Sequence, residues 1–111
     1  MSKMLSDPPQ KYRDFVARYP KLAEAWDAIH EAGATGPLDE KTQRLVKLAV
    51  AIGALREGAA HASARKALGI GITPAELEQV VALAAGTLGL PSTVAAFTWL
   101  QDVLQPKADP S

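Results

Sequence analysis

The sequence predicts an all-α protein of about six helices. In several segments apolar residues recur three and four positions apart, which is the spacing of one face of an α-helix. No segment shows the alternation of apolar and polar residues that a half-buried strand requires. Of the 111 residues, 48% are hydrophobic but only 5% are aromatic. Small and aliphatic side chains must therefore fill the interior, which favours closely packed helices.

Charge and cysteine content exclude several kinds of function. Lys plus Arg and Asp plus Glu each number 12, so a net charge of zero gives no electrostatic footprint for nucleic acid or an anionic membrane. The chain has no cysteine, which excludes disulfides, thiolate metal sites and a cysteine nucleophile. The first residues lack the apolar run of a signal peptide, and no window reaches the ~18 apolar residues of a membrane span. We expect a soluble, cytoplasmic protein.

The first third of the chain predicts two short helices. One covers about Gln10–Arg18 and ends at Tyr19, because a residue before a proline avoids the α region. Pro20 then suits the first turn of a second helix. Gly33 is expected to stand just past the end of that helix, where glycine is common.

The middle of the chain predicts an unusually apolar third helix. Asp39 is a suitable N-cap for it, and from Leu45 to Ile52 a single residue is polar. A helix that is apolar on nearly every side is buried on nearly every side. In so small a chain this indicates a central helix or a subunit interface, so we expect an oligomer. Gly53 permits a break, and a fourth helix begins near Glu57.

The fifth helix has the clearest start signal. Thr73 and Glu76 form a capping box, in which the Thr73 side chain caps the helix and the Glu76 side chain reaches back. The helix is expected to end before Gly89, and Ser92 or Thr93 is expected to cap the last helix.

The chain divides into an N-terminal segment with two short helices (1–37), a core (38–105) and a flexible tail (106–111). Residues 1–7 are polar and without periodicity, so we expect them to be loose.

The core resembles a known family. The resemblance is carried by the runs LDEKTQRLVKLAVAIG, HASARKALGIGITPAELEQVV and GTLGLPSTVAAFTWLQDV, which combine helix caps, glycines and apolar spacing. Through them residues 38–104 resemble the carboxymuconolactone decarboxylase family, which includes the AhpD-like alkyl hydroperoxidases. The resemblance implies a bundle of helices around a central pair, and assembly into trimers, hexamers or similar oligomers.

The same resemblance implies an altered, degenerate active site. AhpD-like members use a glutamate, a Cys-x-x-Cys pair and a histidine, and these positions fall here on Arg44, Arg56, Ala59 and Ser63. A dithiol mechanism needs a thiolate and a resolving thiol, so we expect no hydroperoxidase activity. Decarboxylase members act on a lactone dicarboxylate without the dithiol, using polar residues in the same cleft.

Glu57 and His61 are candidate catalytic residues. They stand four positions apart on one helical face, so Glu57 could hold the imidazole while His61 acts as general acid or base. The alternative is a solvated or interface ion-pair ladder continued by Arg65, which is the commoner role for this spacing. Two ligands are too few for a metal ion without symmetry partners. We therefore expect no metal site, and no cofactor.

Arg44, Arg56 and Ser63 are candidate ligand-binding residues. Two guanidinium groups and a hydroxyl could bind a carboxylate or another anion. The alternative is a cleft that has lost its chemistry and is refilled by residues that pair with nearby acidic side chains. The sequence leaves both possibilities open.

Two classes of function remain. The first is a carboxymuconolactone decarboxylase-like protein that binds or acts on a small anionic carboxylate or lactone, by a lyase-like acid–base reaction if it is an enzyme. The second is a non-catalytic module for interaction and assembly with the same fold. In both cases we expect the chain to associate with itself, as a trimer or hexamer, and to bind neither nucleic acid nor a membrane.

Overall fold

The structure, a computed structural model, describes residues 10–106. Throughout this range the regular structure is α-helical, which confirms the predicted all-α class. The expected looseness of residues 1–7 and of the tail after Pro106 lies outside the described residues. The described helices are α1 (Gln10–Arg18), α2 (Pro20–Ala34), α3 (Glu40–Gly53), α4 (Glu57–Gly69), α5 (Pro74–Leu88) and α6 (Leu90–Leu104).

Two helix starts agree with the capping signals in the sequence. At the start of α5 the Thr73 hydroxyl accepts a hydrogen bond from the Glu76 backbone N–H at 3.2 Å, and Glu76 Oε1 accepts one from the Thr73 backbone N–H at 2.9 Å. This reciprocal pair satisfies two backbone donors that the helix itself leaves open. Helix α3 begins at Glu40, directly after the predicted cap at Asp39.

The predicted end of α2 is wrong. The helix continues through Gly33 to Ala34, and Thr35 is its C-cap. The Thr35 hydroxyl donates to the backbone carbonyl of Glu31 at 3.1 Å, so the side chain itself satisfies one of the last helical acceptors.

The predicted cap of α6 is also wrong. The helix begins at Leu90 with Gly89 as its N-cap, at a φ of +82° that favours glycine. The Thr93 hydroxyl lies inside the first turn and donates to the Gly89 carbonyl at 2.8 Å. A single glycine therefore separates α5 from α6, where the sequence indicated a longer break.

Helices α3 to α6 form one compact unit with a common core. Each of these helices makes most of its contacts with two others, in the cyclic order α3, α4, α6, α5. The largest fully buried side chains are Leu48, Ile52 and Leu77, and burial of each stabilises the fold by roughly 1.5–3 kcal/mol. The residues of the core are Leu48, Ala51, Ile52, Ala60, Ala64, Ala67, Ile72, Leu77, Val81, Ala96 and Leu100.

The fully buried residues of helix α4 are all alanines. Ala60, Ala64 and Ala67 are 4%, 1% and 0% exposed. Methyl side chains let the backbone of α4 approach its neighbours closely, because interiors are filled to crystal-like density. Close packing of these alanines sets how closely α4 approaches α3 and α6, the two helices with which it makes most of its contacts.

Helix α3 is buried on one side only. Leu48, Ala51 and Ile52 face the core, whereas Val46 and Val50 are 45% and 64% exposed. Helix α3 therefore carries more apolar side chains than packing within a single chain buries.

Helices α1 and α2 form a separate unit. Neither contains a buried residue, and an apolar groove of about 390 Å³ lies between them. The rings of Phe15 and Tyr19 lie 5.3 Å apart, and those of Trp26 and His30 lie 4.7 Å apart. Within residues 10–106 no helix is both long and apolar enough to span a membrane.

Candidate functional site

A tight turn between α3 and α4 places the first site residue. Leu55 adopts a left-handed φ of +56°, and the Arg56 backbone N–H donates to the Ala51 carbonyl at 2.9 Å. Arg56 is the N-cap of α4 and Glu57 its first residue. Glu57 therefore lies in the first turn of α4, at the positive end of the helix dipole, where acidic side chains are favourable.

His61 lies one turn further along α4, between two carboxylates. Its Nε2 atom is 3.9 Å from Oε2 of Glu57 and 3.5 Å from Oδ2 of Asp102. The imidazole is 26% exposed, but Nε2 itself is shielded from solvent and makes no hydrogen bond to any described residue. The structure therefore brings together Glu57 and His61, as the i,i+4 spacing predicted, and adds a third group.

Asp102 was missed by the sequence analysis. It comes from α6, which packs against α4, and 41 positions separate it from His61. Local spacing along one helix cannot reveal a partner on another helix. One signal was present, because Asp102 is the only charged residue among the fifteen of α6.

The other predicted site residues are not joined to this cluster. Among the described residues, no hydrogen bond or ion pair connects Arg44, Arg56 or Ser63 with Glu57 or His61. Ser63 follows His61 by two positions, which is a rotation of about 200° around α4, so the two side chains leave the helix on opposite flanks. The ligand-binding role of the three residues stays a prediction.

Arg44 lies instead in a group of basic side chains on α3 and α4. Burial, followed by the charge of Arg44, lowers the pKa of Lys47. Burial also lowers the pKa of Lys66, with smaller effects from the charges of Arg44, Lys47 and Arg65. These four residues, the basic group, concentrate positive charge that no acidic side chain among the described residues pairs. Such a group favours an anion.

A separate apolar groove of about 710 Å³ lies between α3 and α5. An ion pair between Lys41 and Glu76 stands at its edge, and Leu83, which is 71% exposed, is part of its lining. None of the five predicted site residues lines this groove. Its lining residues are Lys41, Thr42, Leu45, Val46, Ala49, Gly53, Glu76, Gln79, Val80, Leu83, Ala84, Thr87 and Leu88.

Comparison with known proteins identifies the family. The family model described as the carboxymuconolactone decarboxylase family matches residues 20–102. Searches of the curated proteins and of the solved structures gave no significant match. The matched range includes α2 and nearly all of α3 to α6, which is well over half of the chain. The chain therefore belongs to the carboxymuconolactone decarboxylase family.

Proposed function

We propose that this chain binds and transforms a small anionic metabolite, a carboxylate or a lactone, by an acid–base reaction centred on His61 and without thiol chemistry. The observation that carries the proposal is the placement of His61 Nε2 between the carboxylates of Glu57 and Asp102. The family assignment supports a decarboxylase-like reaction class, and the absence of cysteine excludes a dithiol.

The imidazole suits a proton-transfer step near neutral pH. Histidine is the side chain whose ordinary pKa allows it both to accept and to donate a proton there. The two carboxylates lie 3.5 and 3.9 Å from Nε2, where they can orient the ring as a carboxylate does in other acid–base sites. One of them comes from another helix, which distinguishes this arrangement from a simple ladder along the surface of α4.

The basic group supplies a place for the anionic end of the metabolite. Arg65 follows His61 by four positions, so the two share a flank of α4 with about 5–6 Å between their Cβ atoms. Arg44, Lys47 and Lys66 extend the positive charge towards α3. A carboxylate held by Arg65 would lie within reach of the imidazole.

The test is a panel of small dicarboxylates and five-membered lactones, assayed for binding by calorimetry and for turnover by release of CO₂ and loss of the lactone. We expect His61→Gln to lower turnover by about 10²–10⁴-fold, the usual contribution of a general acid–base group. His30→Gln, a histidine on α2, is the matched control and should retain wild-type turnover. The proposal fails if no panel member is bound or if His61→Gln turns over at the wild-type rate.

A second candidate, a self-assembly module, is favoured by the exposed apolar residues of the core unit. Val50, Leu83 and Leu90 are 64%, 71% and 69% exposed. Several large apolar side chains exposed on one small unit are typical of an interaction surface. We propose that copies of the chain associate as a trimer or hexamer through exposed apolar side chains of the core unit. Leu83→Lys should lower the mass in analytical ultracentrifugation, whereas Ala82→Lys on the same helix should not. A wild-type monomer at micromolar concentration would contradict this proposal.

A further inference from the structure

We infer that Glu57, His61 and Asp102 form a binding site for one divalent transition-metal ion of the zinc class. All three side chains offer a ligand atom, and these atoms lie within 4.8 Å of one another. One imidazole nitrogen with two carboxylate oxygens is a donor set that such ions accept. Spacing along the sequence did not reveal the third ligand, because Asp102 lies on another helix.

The distances suit tetrahedral coordination. Bond lengths of about 2.0–2.2 Å to nitrogen and oxygen place neighbouring ligand atoms of a tetrahedral site about 3.4 Å apart. His61 Nε2 and Asp102 Oδ2 are 3.5 Å apart, and Nε2 and Glu57 Oε2 are 3.9 Å apart. The second distance closes by rotation of the Glu57 side chain, which is 57% exposed and free to adjust.

The state of Nε2 is a second, independent observation. The atom is shielded from water and has no hydrogen-bond partner among the described residues, although it faces two carboxylates. One imidazole nitrogen and two carboxylate oxygens thus face one another without a hydrogen bond between them, and a cation bound among them would coordinate all three. A divalent ion would also balance the two negative charges.

The site has a rigid base and an open side. Two ligands stand one turn apart on α4, and the alanine face of α4 fixes its approach to the core, where it meets α6. The Asp102 and Glu57 side chains are 50% and 57% exposed, so a fourth coordination position faces solvent. Three protein ligands and one open position are the arrangement of catalytic rather than structural zinc sites.

A metal ion also explains how a site with two carboxylates would receive an anion. The open position would accept a carboxylate or lactone oxygen of the metabolite, and the charge of the ion would offset that of the two carboxylates. In the metal-bound form Nε2 is a ligand, and the acid–base role passes to the metal-bound water. This part rests on the proposed function, whereas the metal site itself does not.

The test is zinc binding by the full, untagged chain, measured by calorimetry, together with the visible absorption of Co²⁺ as a substitute ion. We expect one ion per chain and the strong absorption of a tetrahedral Co²⁺ site. Asp102→Asn and His61→Gln should each weaken binding at least about tenfold, since loss even of groups that only support a metal ligand costs that much. Circular dichroism checks that each variant keeps its helices.

Glu78→Gln is the matched control. Like Asp102→Asn, it replaces a carboxylate by an amide. The Glu78 carboxylate accepts a hydrogen bond at 3.2 Å from the side chain of Gln101, the residue before Asp102, but it lies outside the cluster. It should bind zinc as the wild type does. Equal affinities for Asp102→Asn and Glu78→Gln, or no binding at micromolar zinc, would overturn the inference.

The outcomes separate this inference from the proposed function. Zinc binding that depends on Asp102, with no turnover of any anionic metabolite, supports the metal site and refutes the proposed reaction. Turnover that depends on His61 but is insensitive to chelator, in a chain that binds no zinc, supports the proposed reaction and refutes the metal site.

Discussion

Replacement of Ala64 by leucine tests whether close approach of α4 holds the core together. Ala64 lies in the middle of the alanine face and is 1% exposed, so the core has no room for an isobutyl group in place of a methyl. Overpacking of a filled core costs about 1–3 kcal/mol of unfolding free energy. For a domain of this size each kcal/mol lowers Tm by about 4–8 °C, so Ala64→Leu should lower it by roughly 4–24 °C.

The assay is thermal unfolding, followed by the far-ultraviolet circular dichroism of the helices. The protein concentration is kept fixed because association would shift Tm. Ala59→Leu is the matched control, since Ala59 is an exposed residue of the same helix. Its unfolding free energy should change by less than about 0.5 kcal/mol. If Ala64→Leu unfolds at the wild-type temperature, α4 does not approach its neighbours as closely as the alanine face indicates, and the fixed distance from His61 to Asp102 loses its basis.

Three further predictions concern the core unit. Leu77→Ala should cost about 2–5 kcal/mol in denaturant unfolding, because the side chain is fully buried; a cost below 1 kcal/mol would contradict this. Thr73→Ala should cost about 0.5–2 kcal/mol in the same assay through loss of the capping box, whereas a neutral result would mean that water replaces the cap. Hydrogen bonds from the Lys41 side chain, then from the Thr73 backbone, lower the pKa of Glu76 below its ordinary value of 4.5. A carboxyl group with a lowered folded pKa stabilises the fold above its unfolded pKa and loses that contribution as pH falls through the folded pKa. The stability advantage of wild type over Glu76→Gln should therefore be complete at neutral pH and disappear in acid; an advantage that is constant with pH would refute this.

A fifth prediction concerns the missing thiols. The chain should not reduce alkyl hydroperoxides with a dithiol donor, because neither a peroxidatic nor a resolving cysteine is present. Turnover above that of the same assay without protein would contradict the exclusion.

The helices were predictable because their signals are local. The capping box at Thr73, the proline at Pro20 and the helical spacing of apolar residues each act within a few positions. The two wrong boundaries also result from local contacts, which the sequence signals did not reveal. At Gly33 the helix continues because the side chain of Thr35 completes it, and at Gly89 one glycine turns the chain without the longer break that capping residues suggested.

The candidate site was predictable only where its residues share a helix. The pair Glu57 and His61 follows from i,i+4 spacing, whereas Asp102 requires knowledge of which helix packs against α4. The grouping of Arg44 with Lys66 likewise depends on the pairing of α3 with α4. Such contacts between helices depend on the side chains that fill the core, and no local pattern in the sequence encodes them.

In the register that the resemblance implies, the two flanks of α4 carry different groups of residues. The positions that resemble the dithiol and the family histidine, Arg56, Ala59 and Ser63, recur at spacings of three and four and so share one flank of the helix. His61 leaves α4 about 200° away from Ser63 and meets Asp102 on α6. In the register that the resemblance implies, the cluster at His61 therefore lies on the other flank of α4 from the dithiol positions, and the chemistry that we propose for it follows from one imidazole and two carboxylates.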